Sequence, residues 1–274
     1  MSVTLREFAE KLARRAELPD SDCTAISTLP YFVRAVSANA ALVKQGDTAQ
    51  HFCSLLSSGI AFKHKMASTG SRQIVSLHVP GDLLDFQQSF LHTADHSTHA
   101  LTDLEILEID RTALDELLMS RPKVVYAFCV DHMVETSISR EWVLNVGRRD
   151  GRTKLAHLLC EIGIRLNALG LMSGEEFDLP MTQEQLGDAT GLTGVHVNRM
   201  LKSLAHDGLI HHNNRSISVV DWNALCKVGD FNPTYLHLKP RQTSTRKSAH
   251  IENSAKVVKR EFHNQPAEAF ALPF

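Results

Sequence analysis

The stretch "MTQEQLGDATGLTGVHVNRMLKSL", Met181 to Leu204, decides how this chain folds. It sets Gly187, Gly191 and Gly194 among helix formers, although Gly costs about 1 kcal/mol against Ala inside a helix. Thr182 and Gln185 have the spacing of a capping box, with the hydroxyl accepting from the Gln185 backbone and the Gln side chain reaching back. Gly191 suits the left-handed residue that ends a helix. Thr193 suits the cap of the next one. Gly187 falls where the first helix passes closest to the second, so a side chain there would push them apart. Leu186 points to the core, Leu192 anchors the turn, and Val197, Met200 and Leu201 pack inward. His196, Asn198, Arg199 and Lys202 are left facing out.

Two helices meeting at such a turn form a helix-turn-helix, whose second helix can lie in the major groove of DNA. The outward residues fit that role. Arg can hold guanine O6 and N7, Asn can hold adenine N6 and N7, and Val195 can make apolar contact with a thymine methyl. Lys202 and the basic Arg148, Arg149 and Arg152 suit phosphate contacts, which position without specifying. Gly194 would let the helix start approach the DNA backbone. The candidate DNA-binding residues are therefore Thr182, Thr193, Val195, His196, Asn198, Arg199 and Lys202. An ordinary helical hairpin is the alternative.

Flanking sequence favours the first reading. "GRRDGRTKLAHLLCEIGIRLNAL" has an apolar stripe of Leu155, Leu158, Leu159, Ile162 and Leu166, and Gly170 stops it. "GLIHHNNRSISVVDW" places Asn213-Asn214 as a hairpin turn between two apolar runs. Helix, helix, helix, hairpin is a winged helix, expected over 148–229. Upstream, "PKVVYAFCVDHMVETSISREWVLNV" runs from Pro122 to Val146 without Gly or further Pro. A helix of about 25 residues spans roughly 38 Å. Val125, Phe128, Cys129, His132, Met133, Thr136, Ser139, Val143 and Val146 fall near one face. The segment 119–147 reads as a dimerisation helix, with an ordinary core helix as the alternative.

From Tyr31 to about Leu118 the pattern changes to short apolar runs. Gly46-Asp47, Gly59, Gly70 and Pro80-Gly81-Asp82 sit where turns would fall. This predicts a small all-β roll over 31–118, closed by a short helix in "RTALDELLMSRP". Leu5, Phe8, Leu12 and Ala16 predict one amphipathic helix and a connector in 1–30. Beyond Asp230 the chain turns polar and basic, with Lys239, Arg241, Arg246, Lys247, Lys256, Lys259 and Arg260, so 230–274 reads as a disordered basic tail. It either adds nonspecific attraction to DNA or is a solvated extension. The fold class is α+β: an N-terminal roll, a long helix and a C-terminal winged helix-turn-helix.

Composition sets outer limits. With 43% hydrophobic residues in 274, the chain can bury a sizeable core. A net charge of −2 argues against a uniformly basic coat but leaves room for a local basic face. No apolar run reaches the ~18 residues of a membrane span, and the charged N-terminus lacks a secretory signal, so a cytoplasmic protein with no membrane partner is expected. The five cysteines, Cys23, Cys53, Cys129, Cys160 and Cys226, form no CxxC pair, which argues against a disulfide framework or a zinc ribbon.

The order of parts from about Tyr31 to Trp222 resembles the CRP/FNR superfamily of bacterial transcription regulators. "LPMTQEQLGDATGLTGVHVNRMLKSLAHDGLI" is the most specific piece. "GDTAQHFCSLLSSGIAFKHK" followed by "RQIVSLHVPGDLLDF" is similar to that family's roll, which binds cyclic nucleotides in some members. The resemblance implies a homodimer on a two-fold operator, double-stranded DNA as partner, RNA polymerase as a second partner if the protein activates, and an effector at the roll. Departures from the family matter as much. Cyclic-nucleotide binders carry Gly-Glu where this chain has Asp85-Phe86, and an Arg near the position of His96. An apolar ring replaces the ribose acceptor, which argues against a cyclic nucleotide. Oxygen sensors of the family cluster cysteines near the N-terminus, whereas Cys23 stands alone before Cys53, which argues against an iron–sulfur cluster. A haem-based sensor stays open, because one His suffices as an axial ligand. The family often has Glu where Val195 stands, so the operator is expected to keep the Arg199 guanine contact and differ beside it.

Weaker signals remain. His92, His96 and His99 would share a face if helical and are candidate metal ligands, although Asp95, Ser97 and Thr98 suggest a polar loop. Cys129, among Phe128, Val130 and Met133, reads as a buried inert thiol. No P-loop, GxSxG or HExxH is present, so no enzyme is expected. The rival reading is a roll that binds a small molecule or metal, with a helical domain that serves protein–protein contacts. Exposed His196, Asn198 and Arg199 argue against it.

Overall fold

A computed structural model describes residues 2–48, 51–213 and 216–238. The chain opens with α1 (Leu5–Ala16), capped by Thr4 and Glu7 in a capping box, and buries Leu5, Phe8, Ala9 and Leu12. The expected connector after it is a second helix, α2 (Asp20–Ser27). Pro19 stands at its cap and Asp20 and Asp22 lie in its first turn, where carboxylates favour the positive end of the helix dipole. Asp22 also accepts from Arg121 at 2.7 Å.

The roll follows as β1 (Tyr31–Val36), β2 (Ala41–Val43), β3 (Phe52–Ser58), β4 (Ala61–Met66), β5 (Arg72–His78), the single-turn α3 (Gln88–Leu91), β6 (Ser97–Ala100) and β7 (Leu104–Asp110). Two antiparallel sheets form, ordered β1-β7-β3 and β2-β6-β4-β5. In the first, β3 and β7 are buried along most of their length, whereas β1 is exposed from Tyr31 to Ala35. Leu56, Leu104 and Ile106 meet Val36, Ala61, Leu84 and Ala100 inside the roll. Cys53, Leu55, Leu107 and Ile109 pack on α1 and on the helices that close the roll. Those are α4 (Arg111–Ser120), capped by Asp110, and α5 (Pro122–Arg148), with Pro122 in its first turn.

α5 runs unbroken through Gly147, so the limit expected there falls inside its last turn. Asp150 starts the next helix, α6 (Gly151–Ala168), by accepting from the backbone of Arg152 and Thr153. Then come β8 (Glu176–Asp178), α7 (Gln183–Thr190), α8 (Gly194–His206), β9 (Ile210–Asn213), β10 (Ser216–Val219) and α9 (Trp222–Val228). The wing has three strands in the order β8-β10-β9. The expected hairpin turn includes Asn214, which lies outside the described residues.

Two readings are corrected at the ends of these elements. The tail expected from Asp230 is folded up to Leu238, with a 3₁₀ turn at Pro233–Leu236 and Leu236 buried. Its remaining basic residues lie outside the described residues. On α5, Phe128 is not on the exposed face. It packs edge-on against Phe8 and tilted against Phe86. Cys129 is exposed instead of buried, because its position turns it away from that aromatic core.

Polar contacts tie the roll to the winged helix. Arg165 of α6 donates to the Leu77 carbonyl at 2.9 Å and to Asp82 at 2.8 Å. Lys11 reaches Asp82 and Asp131, and Arg15 also pairs with Asp131. Arg72 of β5 pairs with Asp188 of α7 at 2.7 Å.

Candidate DNA-reading interface and the roll interior

The capping box forms as its spacing predicts. The Gln185 backbone donates to Thr182 Oγ1 at 3.1 Å, and the Thr182 backbone donates to Gln185 Oε1 at 2.8 Å. Gly191 ends α7 at φ 69°, in the left-handed region. Thr193 caps α8 by accepting from the His196 backbone at 3.3 Å. Val197, Leu201 and Leu204 are buried, and half-buried Met200 packs on the same core. Val195, 75% exposed, stands with exposed Arg199 and Lys202 and half-buried Asn198 on the other side.

Other basic and glycine positions differ from expectation. His196 is half-buried: its imidazole lies against Gly151, where a Cβ would stand 3.0 Å from Nε2. Gly194 faces the start of α7, with Gln183 backbone atoms 3.7 Å from a would-be Cβ, not open solvent. Arg149 is spent on ion pairs with Glu141 at 2.6 Å and Asp230 at 3.1 Å, its side chain almost fully buried. Arg152 pairs with Asp207. Of the three upstream arginines, Arg148 is the exposed one. On the wing, Ile217 and Val219 point inward while His211, His212 and Asn213 are exposed.

Inside the roll, the positions matched to nucleotide-binding residues make other contacts. Asp85 accepts from the Ser54 backbone at 2.8 Å and hydroxyl at 2.9 Å. The Phe86 ring sits 5.3 Å from Phe90 and 5.1 Å from Phe128. His96 Nδ1 lies 2.8 Å from Asp95. The three candidate metal-binding histidines do not converge. His92 ends α3, His96 precedes β6, and His99 on β6 meets His64 at 3.1 Å. The segment is a turn and a strand, so helical spacing never applied. Among the described residues no group of three or more His, Cys, Asp or Glu could hold a metal ion.

Buried charge sits between β4, β5 and α5. Lys63 pairs with Glu135 at 3.2 Å, and His132 lies 3.3 Å from the same carboxylate. Burial would raise Glu135, but Lys63, the His132 hydrogen bond and His78 hold it well below its ordinary value. Burial, then Lys63, pushes His78 down to about 3, against the opposing pull of Glu135 and Asp82. The unfolded chain takes up that proton near pH 6.5, the folded chain only near pH 3. Stability is thus full above pH 6.5 and falls as pH drops toward 3, by up to ~1.4 kcal/mol per pH unit for one proton. Burial shifts His64, His96, His99 and His157 in the same direction. Urea unfolding at pH 7 and pH 5 is expected to show this loss, and His78→Gln to shrink it without abolishing it. An unchanged slope in that variant would contradict the assignment to His78.

A roll joined by a long helix to a winged helix-turn-helix, with the outer face of the second helix open, is the build of a DNA-binding regulator. Residues 33–121 match the cyclic nucleotide-binding domain, and residues 153–228 match the Crp-like helix-turn-helix domain. The chain is 30% identical over 220 residues to the transcriptional activator protein FnrL of Cereibacter sphaeroides, covering 78% of this chain and 88% of that one. It is 26% identical over 205 residues to the anaerobic regulatory protein of Haemophilus influenzae, covering 75% and 79%. In fold it is similar to FixK2 from Bradyrhizobium japonicum, with TM-score 0.67 and 21% identity over 73% of this chain and 98% of that one. The chain belongs to the CRP/FNR superfamily, and it is a DNA-binding transcription regulator. Among the described residues no helix is long and apolar enough to cross a membrane.

Proposed function

We propose that this regulator acts as a homodimer joined along α5, reads a palindromic operator with α8, and answers a signal at the roll. The observation that carries the reading of DNA is the row of exposed Val195, Arg199 and Lys202 with half-buried Asn198 on α8, opposite a buried Val197–Leu201–Leu204 seam. Arg199 and Asn198 supply base-edge contacts, Val195 an apolar one, and Lys202 a phosphate contact. Thr182 and Thr193 stand at the two helix starts, where N–H groups of the first turn can meet phosphates. Half-buried on Gly151, His196 would serve more by holding the corner of the two helices than by reading a base. Arg149 and Arg152 are engaged in ion pairs instead of facing phosphate.

The dimer reading rests on α5. Tyr126 at 63%, Met133 at 57%, Val143 at 74% and Leu144 at 44% exposure lie on one side of the helix, with Val125 and Cys129. The opposite side buries Val124, Ala127, Val134 and Trp142. An apolar stripe of this length on a surface helix fits a partner helix. Because both positions are exposed, the double substitution Met133→Glu, Val143→Glu should leave the fold intact. Placing like charges across the two-fold axis should then weaken self-association roughly tenfold or more. Sedimentation velocity checks this; an undiminished dimer places the interface elsewhere.

At the roll, Phe86 packed between Phe90 and Phe128 and Asp85 bonded to Ser54 leave no ribose acceptor at the matched positions, which supports a signal other than a cyclic nucleotide. The relatives named as activators support contact with RNA polymerase, and a DNA partner supports a cytoplasmic site of action. The test of the whole reading is sequence selection by the purified full chain from a random duplex library, at stated salt and without added ligand. A palindrome with guanine at matched half-site positions is the expected result. An asymmetric single site would overturn the dimer, and enrichment of no sequence by either the purified chain or cell-extracted chain would overturn groove reading.

A further inference from the structure

We propose that the segment after the wing, Gly229 to Leu236, is a positioning strap that fixes the angle between α5 and the DNA-reading helices and so sets the half-site spacing this protein accepts; the spacing part rests on the homodimer reading above. The joint it spans is short, since α5 ends at Arg148 and α6 begins at Gly151. Direct bonds across that joint are few. Trp142 Nε1 donates to Glu161 at 3.1 Å, and Asn145 donates to the Lys154 carbonyl at 3.2 Å.

The strap adds contacts at both ends of this joint. Gly229 runs flush against α6, where a Cβ would stand 2.8 Å from the His157 backbone nitrogen. Its carbonyl lies 3.0 Å from His157 Nδ1, which donates to it. That leaves the Tyr235 hydroxyl beside two acceptors, Glu161 Oε2 at 2.8 Å and His157 Nε2 at 3.1 Å. The Tyr235 ring stacks on His157 with 16° between planes, and Phe231 meets the same imidazole edge-on. Burial, then the Glu161 charge, pushes the Tyr235 phenol well up, so it stays a neutral donor. Glu161 is thereby shared between Trp142 of α5, Arg165 of α6 and Tyr235 of the strap. At the joint itself, Asp230 takes Arg149 through its carboxylate at 3.1 Å and its carbonyl at 3.2 Å, while Glu141 of α5 takes the same guanidinium.

Arg149 in the joint and His157 and Glu161 in α6 thus bond directly to the strap, and through Arg149 and Glu161 it reaches Glu141 and Trp142 of α5. The strap itself makes none of the DNA contacts assigned above. In a two-fold dimer the distance between recognition helices follows the angle at this joint, and half-sites lie about one DNA turn apart. Loosening the strap should widen the range of spacings bound without touching base readout.

The test uses the full chain carrying Asp230→Asn and Tyr235→Phe, which keeps ring stacking and removes one charge and one hydroxyl. Affinity is measured on the selected palindrome and on versions with one base pair added or removed between half-sites, with dimer mass determined on the same samples. The expected result is a preference for the native spacing reduced about fivefold, the scale of one or two hydrogen bonds, with dimer mass and base preference unchanged. A folded, dimeric variant with the wild-type spacing preference overturns the proposal. If the wild-type chain proves monomeric, the dimer reading fails, and amide hydrogen exchange over residues 141–161 decides the strap alone. Faster exchange there in the variant supports it, and unchanged protection overturns it.

Discussion

Arg199→Ala is expected to weaken binding to the selected operator by roughly 5- to 150-fold while leaving random duplex binding nearly unchanged, a discrimination loss on the order of 1–3 kcal/mol. The effect starts from the way α8 is held. Thr193 caps the helix and the Val197–Leu201–Leu204 seam fixes its rotation. With that rotation set, Arg199 has no choice but to project on the same side as Val195, away from the core. A guanidinium presented there can hold guanine O6 and N7 together, a contact random sequence supplies only by chance. Lys202 serves as the contrast. Its ammonium is expected to meet phosphate, so Lys202→Ala should weaken specific and random DNA alike and lower the salt slope by about one. Anisotropy titrations of both variants on both duplexes, across a salt series, separate the two roles. Equal loss on both duplexes for Arg199→Ala would remove it from base readout.

What the sequence made legible is what short spacing controls. The Thr182–Gln185 box, the left-handed Gly191 and the Thr193 cap each need only residues within a few positions, and each appears in the structure. The roll's turns were readable for the same reason. The missed features depend on distant partners. Arg149 looked like a phosphate contact because nothing nearby in sequence announces Asp230 or Glu141 as its ion-pair partners. The strap was hidden by composition: half-buried Tyr235 and buried Leu236 precede a polar stretch and are too few to show a period. Its one available signal was Asn232-Pro233, a capped turn start that a purely compositional reading of the tail passes over. His196 on Gly151 is a third case, since the missing side chain at Gly151 is intelligible only once α6 and α8 are seen to meet. α2 was the exception, a local miss, where Pro19 followed by two early acids was a usable helix start.

Gly187→Ala should destabilise the DNA-reading unit by roughly 2–3 kcal/mol, against the direction that helix propensity alone dictates. A Cβ at Gly187 would stand 2.4 Å from the Leu192 carbonyl oxygen, where ordinary contact needs roughly 3.5 Å. The obstacle is backbone, and it cannot swing aside. The Gly191 and Leu192 N–H groups both donate to the Gly187 carbonyl, which holds the turn against the helix at that point. Making room means breaking those bonds or tilting α7 off α8, and either uncovers the core beneath Leu186 and Val197. Gly147 provides the control. It lies within α5 with nothing within 4 Å of a would-be Cβ. Gly147→Ala should therefore stabilise by about 0.5–1 kcal/mol, as an unobstructed helical position does. Urea unfolding of the two variants beside the wild type would show opposite signs if close approach is what selects Gly187. A Gly187→Ala chain that unfolds at or above the wild-type midpoint would mean that the turn has room to spare, and that the first glycine of the opening stretch is there for some reason other than contact between the helix and its turn.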